Sequence, residues 1–391
     1  MQIHHRVGAT ASALALALTG LAGTTSAQAT TTQSTTPSTT AASPVVGHTY
    51  VNDNNAGANA VAAFDRHADG SLTPIPGSPF ATGGSGLGRG LGSQGAIQRS
   101  DDGRFLLAVN AGSDSISVLR LGADGVPTPV GTPVPSGGKK PVSIAVHDSL
   151  VYVANGGEGG ENYTGFRLSG TGSLTAIPGS TFALPDGSHA GDVLFDPSGK
   201  RLIGTRDDTS QLDSFKVHGD GRIAPVQVGT PTAVAGPIGA QFSPTHADQL
   251  FVTLAHGGPG TGTVAAYDVS RNGTFDPIGP GLFPNGQTAT CWVEITADGR
   301  YLFAVNTAAL TISRYAVSDD GELDLLGNTP FNDGVGAVDA RLSPDGRTLS
   351  VTGGRGRVVS VFAVEGGDLT ELASSPTPLP AASAPTGIVV T

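Results

Sequence analysis

Three features of the sequence predict an all-β, seven-bladed β-propeller with four strands in each blade. One is an Asp-Gly or related turn that recurs after an apolar run, at Asp69-Gly70, Asp124-Gly125, Gly170 to Gly172, Asp220-Gly221, Asn272-Gly273, Asp320-Gly321 and Gly366-Gly367. Gly70 to Gly367 is 297 residues over six intervals, about 49.5 per unit, and residues 45–391 hold close to seven such units. The second is an offset turn series with the same period: SDDGR (100–104), DPSGK (196–200), TADGR (296–300) and SPDGR (343–347), each flanked by short apolar β-formers. Two turns per unit divide it into four strands, A to D, joined as a meander, which is the pattern of a propeller blade. The third is composition. Gly (58) and Pro (27) are abundant among 391 residues, and no stretch shows convincing helical periodicity. That excludes helical solenoids and coiled coils, while 38% hydrophobic residues exclude a wholly disordered chain.

Taken in order, Met1 to Ala29 reads as a secretory signal. Arg6 precedes an apolar stretch from Ala11 to Ala22, and Ala27-Gln28-Ala29 supplies an A-x-A cleavage site. The stretch is shorter than the roughly 20 residues a bilayer requires, so the sequence predicts export to the extracellular space or periplasm with no membrane span. Loss of these 29 residues removes one Arg and moves the formal charge from -11 to -12. Residues 30–44 (TTTQSTTPSTTAASP) form a Ser/Thr/Pro-rich linker, and 45–391 form the propeller. The acidic balance argues against nucleic acid as a partner. Cys291 is the only cysteine, so an intrachain disulfide is impossible; beside Trp292 it reads as a small buried hydrophobe.

The ends of the propeller predict closure. HTYVND (48–53) matches a B strand without its own A strand, and PTGIVV (385–390) matches an A strand with nothing after it. Joined, they complete one blade and remove the exposed edges of an open array.

GRFLLAVN (103–110), LVYVAN (150–155), GRYLFAVN (299–306) and SPDGRTLSV (343–351) resemble the SPDGR-x-L-Y-V-x-N repeat of the lactonase-type seven-bladed propellers, the family of 6-phosphogluconolactonases and carboxymuconate cyclases. The resemblance covers roughly residues 45–391. It implies an Arg-His pair entering an A strand and a Glu after the following B strand. At AGDVLF (190–195), Gly191 and Asp192 stand in place of that pair, while Asp207 keeps the acidic position.

Meander geometry sorts the loops. Both Asp-Gly series fall in A–B and C–D turns on one face, where tight turns with positive φ explain them. The opposite face carries the irregular connections: 81–94, 134–141, 155–163, 205–211, 255–262 and 353–357. The candidate site is the channel mouth on that face. Lactone opening or closing needs a base or acid, for which His189, Asp207 and Glu294 are candidates. It also needs cations for the oxyanion and an acidic ligand, for which Arg206, Arg341 and Lys140 are candidates. Gln94, Asp192 and His256, with Lys140, are the expected substrate contacts. GLGRGLG (86–92) lacks the strand–helix context of a phosphate loop, and HxxxH and CxxC spacings are absent. The expectation is a monomer that needs no metal or cofactor and acts on a small anionic or sugar lactone. A non-catalytic propeller that binds a ligand or protein is the alternative reading.

Overall fold

The computed structural model describes residues 43–331 and 336–391. Its strands form seven antiparallel sheets, each a blade. The A strands are Thr386–Val390 in blade 1, Ile97–Arg99 in blade 2, Pro141–His147 in blade 3 and Ala190–Phe195 in blade 4. Those of blades 5 to 7 are Pro237–Phe242, Thr290–Ile295 and Ala337–Leu342. Residues 1–42 lie outside the described part, and with them the signal segment and most of the linker. Among the described residues no helix is long and apolar enough to cross a membrane.

Closure follows the expected pairing. Thr386–Val390 lies beside Val45–Asn52, with Thr49 opposite Val390 and Val51 opposite Ile388. The Arg66 guanidinium fastens the join by donating to the Thr391 carbonyl at 3.0 and 3.1 Å. Ile388 is fully buried against Val51, Ala62 and Val359, so the last strand sits in the core.

The outer D strand is continuous in blades 4, 5 and 6 and broken into two short pieces in the other four. Pro and Gly at the breaks, as in PIPGSP (74–79), cannot sustain a ladder. In three blades a serine takes the amide that the ladder leaves free. Ser78, Ser180 and Ser375 hydroxyls accept from the amides of Ala63, Gly165 and Val361 at 2.8 to 3.0 Å. The A–B turns are likewise self-contained. In SPDGR, Ser343 Oγ donates to Asp345, which accepts from the Arg347 amide, and Gly346 takes a φ of 68°.

Blades are pinned to one another by tyrosines. Tyr50 and Tyr152 hydroxyls donate to the carbonyls of Gly125 and Gly221 in the next blade's C–D turn, both at 2.8 Å. A second repeated device closes the B strand in blades 2, 3 and 6. Asn110 and Asn306 donate seven residues ahead to Ser117 and Ser313, and Asn155 to Asn162. In blade 4 the same position holds Arg206, and seven residues ahead stands Asp213. The pair is buried and bidentate, at 2.6 and 2.7 Å. Arg206 therefore does a wall asparagine's work with a charged pair. Its guanidinium is spent on Asp213 and Gln211 within the blade.

Two outcomes test this reading. Deleting Pro385 to Thr391 removes three buried aliphatic side chains worth about 1.5–3 kcal/mol each, a large share of a domain's usual stability. The thermal midpoint should fall by roughly 10 °C, or the chain should not fold; an unchanged midpoint would refute closure. Arg206→Ala should cost about 3–5 kcal/mol, because it strands the Asp213 carboxylate. The double variant R206N/D213S, which restores the other blades' pair, should recover most of that loss in chemical denaturation.

Candidate active site

In five of the seven blades the residue just before the A strand shares one unusual feature. In blades 3 to 7 it is Lys140, His189, Gly236, Ala289 and Gly336, with φ of 51°, 44°, 78°, 57° and 65°. Its carbonyl accepts the amide of the residue that follows strand B: Gly156, Asp207, Ala255, Thr307 and Gly354, at 2.8 to 2.9 Å. Blades 5 and 7 fill this left-handed position with Gly, which it suits. Blades 3 and 4 fill it with Lys and His, at a cost of about 1–3 kcal/mol for each non-Gly residue. The two equivalent positions on adjacent blades bring the side chains together, with Lys140 Nζ 2.7 Å from His189 Nε2.

The network continues from the imidazole. His189 Nδ1 lies 3.7 Å from Asp207 and 3.9 Å from Asp208, and His256 Nδ1 is 3.1 Å from the other Asp207 oxygen. Asp207 is buried, whereas Asp208 and His256 face solvent. Glu161 fixes the approach, accepting the amides of Gly187 and His189 at 2.7 and 2.8 Å. Burial, reinforced by the Arg89 charge, lowers the Lys140 pKa below the ordinary lysine value. A pocket of about 490 Å³ opens here, lined by Lys140, His189, Glu158, Glu161, Asp186 and Asp208.

His189, Asp207 and Asp208 hold ligand-type atoms within 4.8 Å of one another, a spacing that suits a cation. The Lys140 contact gives the carboxylates a different counter-charge. With the ammonium donating to Nε2, a neutral imidazole carries its proton on Nδ1, facing both aspartates. The result is a Lys–His–Asp chain able to move a proton at Nε2 and to place a cation beside it.

Gln94, Asp192, Glu294 and Arg341 gather elsewhere, inside the channel. The connection from blade 1 to blade 2 enters it: the Gln94 amide donates to Gly191 of blade 4. The Gln94 side chain donates to and accepts from Val293 of blade 6. Trp292 Nε1 donates to Ser93 at 2.8 Å. This plug leaves blade 2 with an A strand of only three residues. Below it lies a cavity of about 280 Å³. Arg341 pairs with Glu294 at 3.1 Å, and Asp192 accepts from Ser143, Val193 and Ala240. Asp339, not singled out from the sequence, completes the group, and its Oδ2 has no hydrogen-bond partner among the described residues. The nine candidates thus divide into a mouth group (Lys140, His189, Asp207, His256), a channel group (Gln94, Asp192, Glu294, Arg341) and a wall residue, Arg206.

Burial dominates the channel carboxyls, raising Asp192 to about 8 and Asp339 to about 7 from an ordinary 3.8. The folded state then binds more protons at these two groups than the unfolded chain does, so the stability they contribute is full below about pH 4 and is lost as pH rises through 7 to 8. Asp339→Asn should flatten the decline in thermal midpoint between pH 5 and 9. An equally steep decline in the variant would assign it to other groups.

Comparison with known proteins adds the family. A family model described as Lactonase, 7-bladed beta-propeller matches residues 80–182 and 178–384. The 6-phosphogluconolactonase of Sodalis glossinidius (strain morsitans) is 29% identical over 168 residues, 40% of this chain and 48% of that protein. The match thus spans about half the relative's length. Among solved structures, the periplasmic gluconolactonase of Pseudomonas aeruginosa gives a TM-score of 0.71 at 18% identity, covering 88% of this chain and 99% of that one. A Lactobacillus plantarum protein gives 0.71 at 19% identity with the same coverage. These structural likenesses are ones of fold. On the match to most of its length, the chain belongs to the lactonase family of seven-bladed β-propellers.

Proposed function

We propose that the mouth hydrolyses a small lactone, with His189 as general base, Asp207 orienting it and Lys140 stabilising the oxyanion. The observation that carries this reading is the 2.7 Å Lys140–His189 contact on the wall of the pocket, continued behind it to the buried Asp207. On binding, the lactone carbonyl takes the Lys140 ammonium from Nε2 and frees that nitrogen for a water. Nε2 removes the water's proton as oxygen attacks the carbonyl carbon, and the ammonium holds the developing oxyanion. Collapse breaks the bond to the ring oxygen, which takes the proton back from His189. The product is a hydroxy acid.

Local charge favours a neutral sugar lactone within the expected class. Four carboxylates line the pocket against one ammonium, and a carboxylate substrate would meet them at close range. Export is supported by the Met1 to Ala29 segment and accords with the periplasmic origin of one structural relative. A second reading, ligand binding without turnover, is favoured by one feature: Lys140 occupies the base nitrogen of the unliganded site.

A panel of lactones separates the two. Glucono-δ-lactone should be opened with a kcat/KM at least tenfold above a dicarboxylic lactone, while saturable binding with no turnover across the panel would favour the binding reading. Asp207→Asn and Lys140→Gln should each lower kcat/KM at least tenfold. His189→Gly should abolish turnover yet keep or raise the thermal midpoint, because Gly suits that backbone; a parallel loss of stability would make His189 structural. The alkaline limb of the pH profile should fall below lysine's ordinary range, as the Lys140 proton is lost, and should move upward in Lys140→Arg. Dialysis against EDTA should leave the rate unchanged. A rate lost to chelator and restored by a divalent cation would instead place an ion among His189, Asp207 and Asp208.

A further inference from the structure

The face of regular turns, whose residues have a sufficient structural role, carries a cavity of about 620 Å³ between blades 4 and 5. Its lining joins the A–B turn of blade 4 to the C–D turn of blade 5 and gathers Lys200, Arg201, Lys216 and Arg271. Four cations in one cavity is a sharp departure for a chain with 21 Lys and Arg and a net charge of -11. Asp196 is the one acid among them, and its oxygens are already taken. They accept from Ser198 Oγ, from the amides of Lys200 and Arg201, and from the Arg201 guanidinium.

Arg201 is a fixed floor, since its guanidinium also donates to the Val269 and Ser270 carbonyls of blade 5. By contrast, the side-chain cations of Lys200, Lys216 and Arg271 have no hydrogen-bond or ion-pair partner among the described residues. Three unpaired cations around one concavity repel one another and focus a positive field into it. Val226, a large apolar side chain left 45% exposed, forms part of the wall. The volume lies in the range of small-molecule sites.

We propose that this cavity binds a small organic polyanion, a molecule with two or more carboxylate or phosphoryl groups on a short carbon skeleton. Lys216 and Arg271 reach the ligand from two blades, so an occupant bridges them, and Val226 packs against its carbon atoms. The site belongs to the face of A–B and C–D turns, whereas Lys140 and His189 precede A strands on the opposite face. Occupancy therefore should not compete with a mouth ligand.

Isothermal titration of the full chain with citrate, using acetate at matched ionic strength as control, tests this. Citrate should bind with one-to-one stoichiometry and raise the thermal midpoint, and acetate should do neither. K216Q/R271Q, both on the surface, should weaken citrate at least tenfold while circular dichroism and lactone turnover stay unchanged. K200Q, from the blade 4 turn alone, should weaken it less. Lys140→Gln should leave citrate binding intact; loss in that variant would move the anion to the mouth and overturn the proposal. Absence of saturable binding, or binding unaffected in K216Q/R271Q, would overturn it too. Inorganic pyrophosphate tests the carbon contact: equal or tighter binding than citrate would refute an organic ligand.

Discussion

The pairing of Thr386–Val390 with Val45–Asn52 is the constraint on which the rest of the structure depends. A meander of blades has two exposed edges until its ends meet, and each blade buries its apolar faces only against neighbours. Once the ring is closed, the starts of the A strands are held around one axis, and none can shift without disturbing the blades beside it. The mouth inherits that rigidity. Lys140 and His189 meet because they occupy equivalent positions on adjacent blades, not because any local sequence joins them.

The same positions explain why a left-handed backbone persists at two bulky side chains. The amides of Gly156 and Asp207 bond the carbonyls of Lys140 and His189, and Glu161 clamps the His189 amide from the blade before. These bonds over-determine the conformation and keep both side chains aimed at the mouth. Glycine serves in blades 5 and 7 and alanine in blade 6, so a left-handed backbone here does not require a functional side chain. Blades 3 and 4 differ in that the side chains at this position are polar and meet across the blade boundary.

Much of the fold was legible because it is periodic. The Asp-Gly turns, the SPDGR-type turns and the unmatched ends together specify seven blades and their closure, and the turns proved self-satisfied as tight-turn chemistry requires. The candidate site was legible only in part. His189, Asp207, Lys140 and His256 follow from loop sorting, but their contact depends on backbone φ and inter-blade geometry, which leave no mark in composition. Arg206 misled because Arg beside Asp reads as a functional pair, whereas comparison of B-strand ends puts it in register with Asn110, Asn155 and Asn306. The seven-residue spacing to Asp213 was the available signal. Gln94 lies in a Gly-rich stretch that reads as an open loop, and only the full channel shows that it is a plug.

Charge is distributed by face in a way that the net value conceals. At the mouth, carboxylates outnumber the cations and surround a lysine whose ammonium is pressed onto an imidazole. In the channel, Asp192, Glu294 and Asp339 share one guanidinium, and burial raises the pKa of Asp192 to about 8 and of Asp339 to about 7. Beneath, on the face of regular turns, unpaired lysines and arginine converge. A chain of net charge -11 would gain from spreading its few cations among its acids, where each would relieve repulsion. Leaving three of them unpartnered around a single concavity forgoes that relief. It is the arrangement expected where the compensating anion is supplied from outside the chain.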